Sequence, residues 1–201
     1  MTTRTIAVVS AGLSQPSSTS MLADRLAGAT RDALDRLDVE STTFPVDLRQ
    51  HAHALTDNLL TGFAGEELQD AKDAVATADG LIAVTPIFSA SYNGLFKTFF
   101  DVLDDDVLRG TPVLLGATGG TARHSLAVDH ALRPLFAYLG ALISPTAVFA
   151  ATDDWGGRSD AGSTLGPRIE RAGTDLADLV VARPVAAAPT SVPFAELLAR
   201  S

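Results

Sequence analysis

Five times along the chain, a short aliphatic or β-branched run is followed by a stretch whose apolar residues recur at spacings of three and four. Runs of this length, apolar on both faces, suit strands of a parallel sheet, and the striped stretches between them suit the helices that cover it. The first strand is Thr5 to Ser10, ending at Ala11-Gly12, after which Leu22, Leu26, Ala29, Ala33 and Leu37 draw one stripe along a helix. Ser and Thr at positions 17 to 20 supply the cap of that helix. Val39 to Val46 is a second, more polar strand nearer an edge, and Asp47 to Gly65, with weak periodicity, reads as loop. Glu66 to Thr77 is helical, and Leu81 to Thr85 makes the third strand, ending at Pro86. A Phe-rich helix from Gly94 to Leu103 leads through Gly110-Thr111 to the fourth strand, Pro112 to Gly116. A helix from Leu126 to Leu139, a fifth strand around Ala141 to Phe149 and a last helix from about Leu165 to Val181 complete the pattern.

The expected fold is therefore α/β: a doubly wound, five-stranded parallel sheet in the flavodoxin-like order 2-1-3-4-5, binding ligands beyond the carboxyl ends of its strands. With 201 residues, 46% of them hydrophobic, one core and one domain over residues 1–183 are expected. Residues 184–201, where Pro184, Pro189 and Pro193 stand among alanines, read as an extended C-terminal arm. A net charge of −9 without any cluster of Lys or Arg argues against a nucleic-acid partner. Zero Cys removes thiolate chemistry, Cys-ligated zinc and iron–sulfur clusters, so redox chemistry must come from a bound cofactor. Neither a secretory leader nor an apolar run of bilayer-spanning length is evident, which makes a soluble, cytoplasmic protein away from membranes the expectation.

Three loops leaving strands one, three and four carry the chemistry. Ser10 to Ser20 holds six hydroxyls where a helix begins, which suits a phosphate dianion and equally suits an unliganded cap loop. Neither Gly-x-Gly-x-x-Gly nor Gly-x-x-x-x-Gly-Lys-Ser/Thr occurs there, which disfavours a dinucleotide fingerprint and a Walker site. Thr85-Pro86-Ile87-Phe88-Ser89-Ala90-Ser91-Tyr92-Asn93-Gly94 offers a stiffened strand exit with aromatic edges for a flat ring, or a plain turn with core aromatics. Ala117-Thr118-Gly119-Gly120-Thr121-Ala122-Arg123-His124 turns from strand to helix through two glycines and directs backbone N–H groups outward. Their convergence in this topology favours a flavin mononucleotide site.

Thr85-Pro86-x-x-x-Ala90-Ser91-Tyr92-x-Gly94-x-x-Lys97, followed by Ala117-Thr118-Gly119-Gly120-Thr121-Ala122-x-His124 and Asp129-His130-Ala131-Leu132-Arg133-Pro134, resembles the NAD(P)H-dependent FMN reductases of two-component monooxygenase systems. The likeness is greatest to those serving alkanesulfonate and methanesulfonate oxygenases. It implies hydride transfer from NADPH or NADH to FMN and delivery of FMNH2 to a flavin-dependent monooxygenase. By the same resemblance, Ser10, Ser17, Ser18, Thr19 and Ser20 hold the phosphate. Pro86, Ile87, Phe88, Ser89 and Ser91 run beside the ring, and Thr118, Gly119, Gly120 and Thr121 cover its pyrimidine side. The family's π-bulge at an oligomer interface would fall at His130, in a homodimer or homotetramer. The chain departs from the family in the first loop, where Ser, Thr and Gln replace an Arg, which points to looser flavin retention.

No side-chain acid or base is needed for hydride transfer; the backbone amides of Gly119, Gly120 and Thr121 are expected to stabilise the charge that develops on the flavin. No metal is expected: His51 and His53 lack ligand spacing. Arg123 reads as a nucleotide-phosphate contact or, more simply, a solvated residue. Phe96, Phe99 and Phe100 read as core or dimer surface, and Asp153, Asp154 and Trp155 as a polar loop that shapes a pocket or anchors the chain. Two other functions fit the same loops: an FMN-retaining reductase of quinones, azo dyes or metal oxyanions, and a flavodoxin-type carrier without pyridine-nucleotide activity.

Overall fold

The computed structural model describes residues 3–155 and 164–184. Strands β1 (Arg4–Ser10), β3 (Gly80–Phe88) and β5 (Pro112–Gly119) form the parallel centre of the sheet, with β2 (Ser41–Asp47) outside β1. β2 is the exposed edge the sequence anticipates, and its Pro45 lies where a missing N–H costs the ladder least. Beyond β5 the expected fifth strand is present in two pieces, β6 (Leu142–Ile143) beside Pro112 and Val113, and β7 (Val148–Ala151) beside Gly116 to Gly119. Pro145 lies in the interruption, where it has no N–H for a ladder; Arg133 instead donates to the carbonyls of Ser144 at 3.3 Å and Pro145 at 2.7 Å. A short antiparallel strand, β4 (Ser91–Tyr92), folds back on Ile87 and Phe88. The sheet thus has seven strands where five were expected, while the order 2-1-3-4-5 of the main strand positions is kept.

Alternation along each strand divides the core in two. Ile6, Val8, Ile82, Val84 and Leu114 face helices α1 (Ser18–Arg36) and α6 (Leu165–Ala182). Ala7, Val9, Leu81, Ala83, Val113 and Leu115 face the other layer, which holds α2 (Ala52–Thr61), α3 (Glu66–Thr77), α4 (Gly94–Asp101) and α5 (Arg133–Tyr138). α1 and α6 cross closely at Gly173, where a Cβ would come within 2.6 Å of the Ala29 carbonyl carbon. Phe96, Phe99 and Phe100 are core residues; the rings of Phe96 and Phe100 lie 6.2 and 4.9 Å from that of Phe136, and Phe99 meets Phe100 at 5.3 Å.

Two helix expectations are corrected. The stretch from Asp47 to Gly65 is not all loop, because Ala52–Thr61 is helical. Its stripe is thin in sequence, with Leu55 and Asn58 as its buried residues, and Gly62 in the left-handed region (φ +80°) ends it with an N–H donated to the Asn58 carbonyl. Nor is Leu126 to Leu139 one regular helix. A 3-10 turn at Ala122–His124 precedes a π-helical segment at Val128–Leu132, and only Arg133–Tyr138 is α-helical. Buried Val128, Leu132 and Phe136 stand four apart and all face inward, across the wider turn that the Arg133 N–H closes on the Val128 carbonyl. His130 lies within this π segment, at the position the resemblance indicated, with its side chain exposed. Asp153, Asp154 and Trp155 belong to a 3-10 turn, Thr152–Trp155, while Gly156, Gly157 and the arm beyond Pro184 lie outside the described residues.

Candidate functional site

The site is assembled from the ends of strands, and buried polar contacts hold those ends together. Asn93 does most of this: its Nδ2 donates to the Ala11 carbonyl at 2.8 Å, its N–H donates to Thr85 Oγ1 at 3.3 Å, and its Oδ1 accepts from the Phe96 N–H at 2.8 Å. One side chain therefore caps α4 and ties the second loop to the first. Thr19 Oγ1 and Thr118 Oγ1 lie 2.8 Å apart, both buried, and join the start of α1 to the end of β5. Gly12 permits the sharp entry to the first loop, since a Cβ there would fall 2.0 Å from Ser17 Oγ.

A cleft of ≈ 380 Å³, within the range of small-ligand pockets, opens where these ends meet. The first loop contributes Leu13, Ser14, Ser18 and Thr19; the second contributes Pro86, Ile87 and Phe88. Thr118, Gly119 and Gly120 come from the third, and Thr152 from the end of β7. None of these lining residues carries an ionisable side chain. Two half-exposed apolar side chains, Leu13 at 45% and Phe88 at 49%, stand among the hydroxyls.

The phosphate-side donors follow from helix geometry. The Ser20 N–H is taken by Ser17 Oγ at 3.2 Å and the Met21 N–H by the Ser17 carbonyl at 3.0 Å. The amides of Ser18 and Thr19, in the first turn of a 19-residue helix, have no intrahelical acceptor and stand at the cleft. Such donors, at the positive end of the helix dipole, suit an anion.

Of the residues expected from sequence, Ser18, Thr19, Pro86, Ile87, Phe88, Thr118, Gly119 and Gly120 are brought together in the lining. The others stand one step back. Ser10 is buried, its carbonyl accepting the Leu48 N–H, and Ser17 caps α1 with Ser20 next to it. Thr121 Oγ1 accepts the Arg123 N–H at 3.1 Å. Ser89 and Ala90 form the tip of the β3–β4 hairpin, both left-handed at φ 49° and 69°, with Ser91 paired to Phe88. Tyr92 turns inward, 5.9 Å from the Phe96 ring, so the aromatic of this loop that lines the cleft is Phe88. Sequence reasoning missed Thr152; the signal available was its place just past the last strand, at the same sheet end as the other loops. It also missed the Asn93 bridge, since an Asn before Gly signals a turn without revealing its distant acceptor.

Other hollows lie away from the strand ends. A groove of ≈ 700 Å³ between α1 and α6 has walls of mixed charge, including Arg25, Asp32, Arg36 and Glu170. Another, of ≈ 470 Å³, is bordered by Asp104, Asp105 and Asp106. Neither contains a residue of the three loops, so the smaller cleft is the candidate site.

Residues 4–156 match the family model described as NADPH-dependent FMN reductase. The chain is 40% identical over 148 residues to the NADH-dependent FMN reductase SfnF of Pseudomonas putida, covering 74% of this chain and 77% of that protein. It is 36% identical over 174 residues to an FMN reductase (NADPH) of Pseudomonas aeruginosa, covering 87% and 91%. The crystal structure of an oxidoreductase from Corynebacterium diphtheriae superposes with a TM-score of 0.86 at 43% identity, over 90% of this chain and 99% of that one. With its flavodoxin-like sheet and its cleft at the strand ends, the chain belongs to the NADPH-dependent FMN reductase family, oxidoreductases that use FMN and a reduced pyridine nucleotide.

Proposed function

We propose that the protein reduces FMN with NADPH or NADH and releases FMNH2 to a flavin-dependent monooxygenase. Relatives whose names specify different donors support the use of either nucleotide. The observation that carries the reading is the pair of Ser18 and Thr19 amides, without an acceptor among the described residues, in a loop, Ser10 to Ser20, that has hydroxyls but no Lys or Arg. An uncharged donor set grips a phosphate through hydrogen bonds and helix dipole alone, which favours exchange over retention.

The lining of the cleft supports FMN as its occupant. Ser14, Ser18 and Thr19 would hold the phosphate; Pro86, Ile87 and Phe88 would flank the ring; Thr118, Gly119 and Gly120 would border its pyrimidine edge. Bound FMN would supply the hydride-accepting centre. Backbone amides of Gly119, Gly120 and Thr121 would stabilise negative charge at that edge without any proton transfer by a side chain. Leu13 and Phe88 would exclude water from the stacked rings and hold them at attack distance. Exposed His130 in the π segment and exposed Tyr138 nearby support pairing of copies through this face. Among the described residues no helix is long and apolar enough to cross a membrane, which is consistent with a cytoplasmic reductase.

The test is NAD(P)H oxidation by purified protein with and without added FMN, beside titration of oxidised and reduced FMN. The expected result is turnover that depends on free FMN, with reduced flavin released readily. Lack of turnover with both donors would overturn the reading. A yellow protein that oxidises NAD(P)H only with a quinone or dye acceptor, without added FMN, would replace it with the flavin-retaining alternative.

A further inference from the structure

We propose that Arg123 anchors the phosphate groups of the incoming pyridine nucleotide. This rests on the cleft being the flavin site. The three loops Ser10 to Ser20, Thr85 to Gly94 and Ala117 to His124 contain between them a single Lys or Arg, namely Arg123. A chain of net charge −9 repels a dinucleotide that carries several negative charges, so local compensation at the cleft mouth matters. Two other cations at this end, Arg168 and Arg25, are occupied, while Arg49, past β2 at the sheet edge, belongs to none of the three loops. Arg168 donates to the Phe149 carbonyl at 2.8 Å and pairs with Asp154 at 3.4 Å, and the Arg25 guanidinium lies 5.2 Å over the Trp155 ring.

Arg123, by contrast, is exposed, and among the described residues its guanidinium has no hydrogen bond or ion pair. The nearest acid along the following turn, Asp129, is committed to Arg133 at 2.9 Å. The backbone of Arg123 is held by the Thr121 hydroxyl, three residues beyond Gly120 of the cleft wall, so its Cα lies within about 10 Å of that wall. The first loop already supplies phosphate donors through Ser18 and Thr19, on a different segment. Arg123 is thus available to a second anion, and a guanidinium matches phosphate oxygens in bidentate fashion.

The test is Arg123→Ala and Arg123→Lys with NADH and NADPH as separate substrates. Arg123→Ala is expected to raise the KM for the nucleotide about tenfold, the scale of one charge-assisted contact, with kcat within about twofold and FMN affinity unchanged. Arg123→Lys should recover part of the loss. Equal effects on both donors identify the pyrophosphate; an effect confined to NADPH identifies the 2′-phosphate. Calorimetric binding of NAD⁺ and NADP⁺ reads the same contact without turnover, so a protein that fails to reduce FMN still tests Arg123. Nucleotide KM and affinity within about twofold of wild type, or a matching loss of FMN affinity, would overturn the proposal.

Discussion

At the amino end of the sheet, Arg4 at the start of β1 pairs with Asp79 at 2.7 Å, while the second Asp79 oxygen accepts the Thr5 N–H at 2.9 Å. Arg4 also donates to the Arg183 carbonyl, and the Arg183 guanidinium reaches the carbonyl of Ala78, which closes the end of α6 onto the sheet. At the carboxyl end, the amides of Ser18 and Thr19 lack intrahelical acceptors, and Ser89 and Ala90 hold left-handed backbone without being glycine. Both ends use polar groups at strand termini. One spends them on internal partners and the other keeps donors free and tolerates strain, which is the state a binding site needs.

The largest expected effect breaks the amino-end clamp. Asp79→Ala leaves Arg4, almost fully buried, without its counter-charge and should cost about 3 kcal/mol of stability, read from denaturant unfolding. FMN affinity of the folded fraction should not change; a parallel loss of affinity would mean that the two ends are coupled. Next, Asn93→Ala removes the cap of α4 and the bond to the Ala11 carbonyl, for about 2 kcal/mol. Unlike the first, it should weaken FMN binding at least tenfold, because the first and second loops lose their tie. Thr19→Val leaves the buried Thr118 hydroxyl without its partner and should cost about 1 kcal/mol, with FMN affinity several-fold weaker by fluorescence titration. Smallest is Ala90→Gly, expected to stabilise by about 0.5 kcal/mol, as relief of the left-handed strain outweighs the added freedom of the unfolded chain. A thermal midpoint that stays the same or falls would show that the hairpin tip holds no strain to release.

The legible parts of the fold were those with strong local signals. The runs around Ile6 and Val8 and around Ile82 and Val84, and the Leu22–Leu26–Ala33 stripe, announce their elements, because burial on both faces gives strands short continuous apolar runs and burial on one face gives helices a near-four spacing. The 52–61 helix was obscure because its register depends on neighbours covering Leu55 and Asn58 rather than on a continuous stripe. β3 and β5 run on to Phe88 and Gly119 because β4 and β7 offer backbone partners there, which no local residue preference announces. Of the cleft lining, Ser18, Thr19, Pro86, Ile87, Phe88, Thr118, Gly119 and Gly120 come from the loops the sequence singles out, whereas Thr152 and the reach of Asn93 to Ala11 were not legible there.

By itself, the order of apolar runs and stripes determined the doubly wound sheet and the end of it at which loops collect, since hydrophobic periodicity is a local property that burial reads directly. Only the tertiary structure decided which first-turn amides line the cleft, where the last strand breaks at Pro145 and that the chain from Val128 to Leu132 takes a π turn. Those outcomes depend on partners brought together from distant parts of the chain, and a hydrogen bond is made or forgone only once both partners are in place.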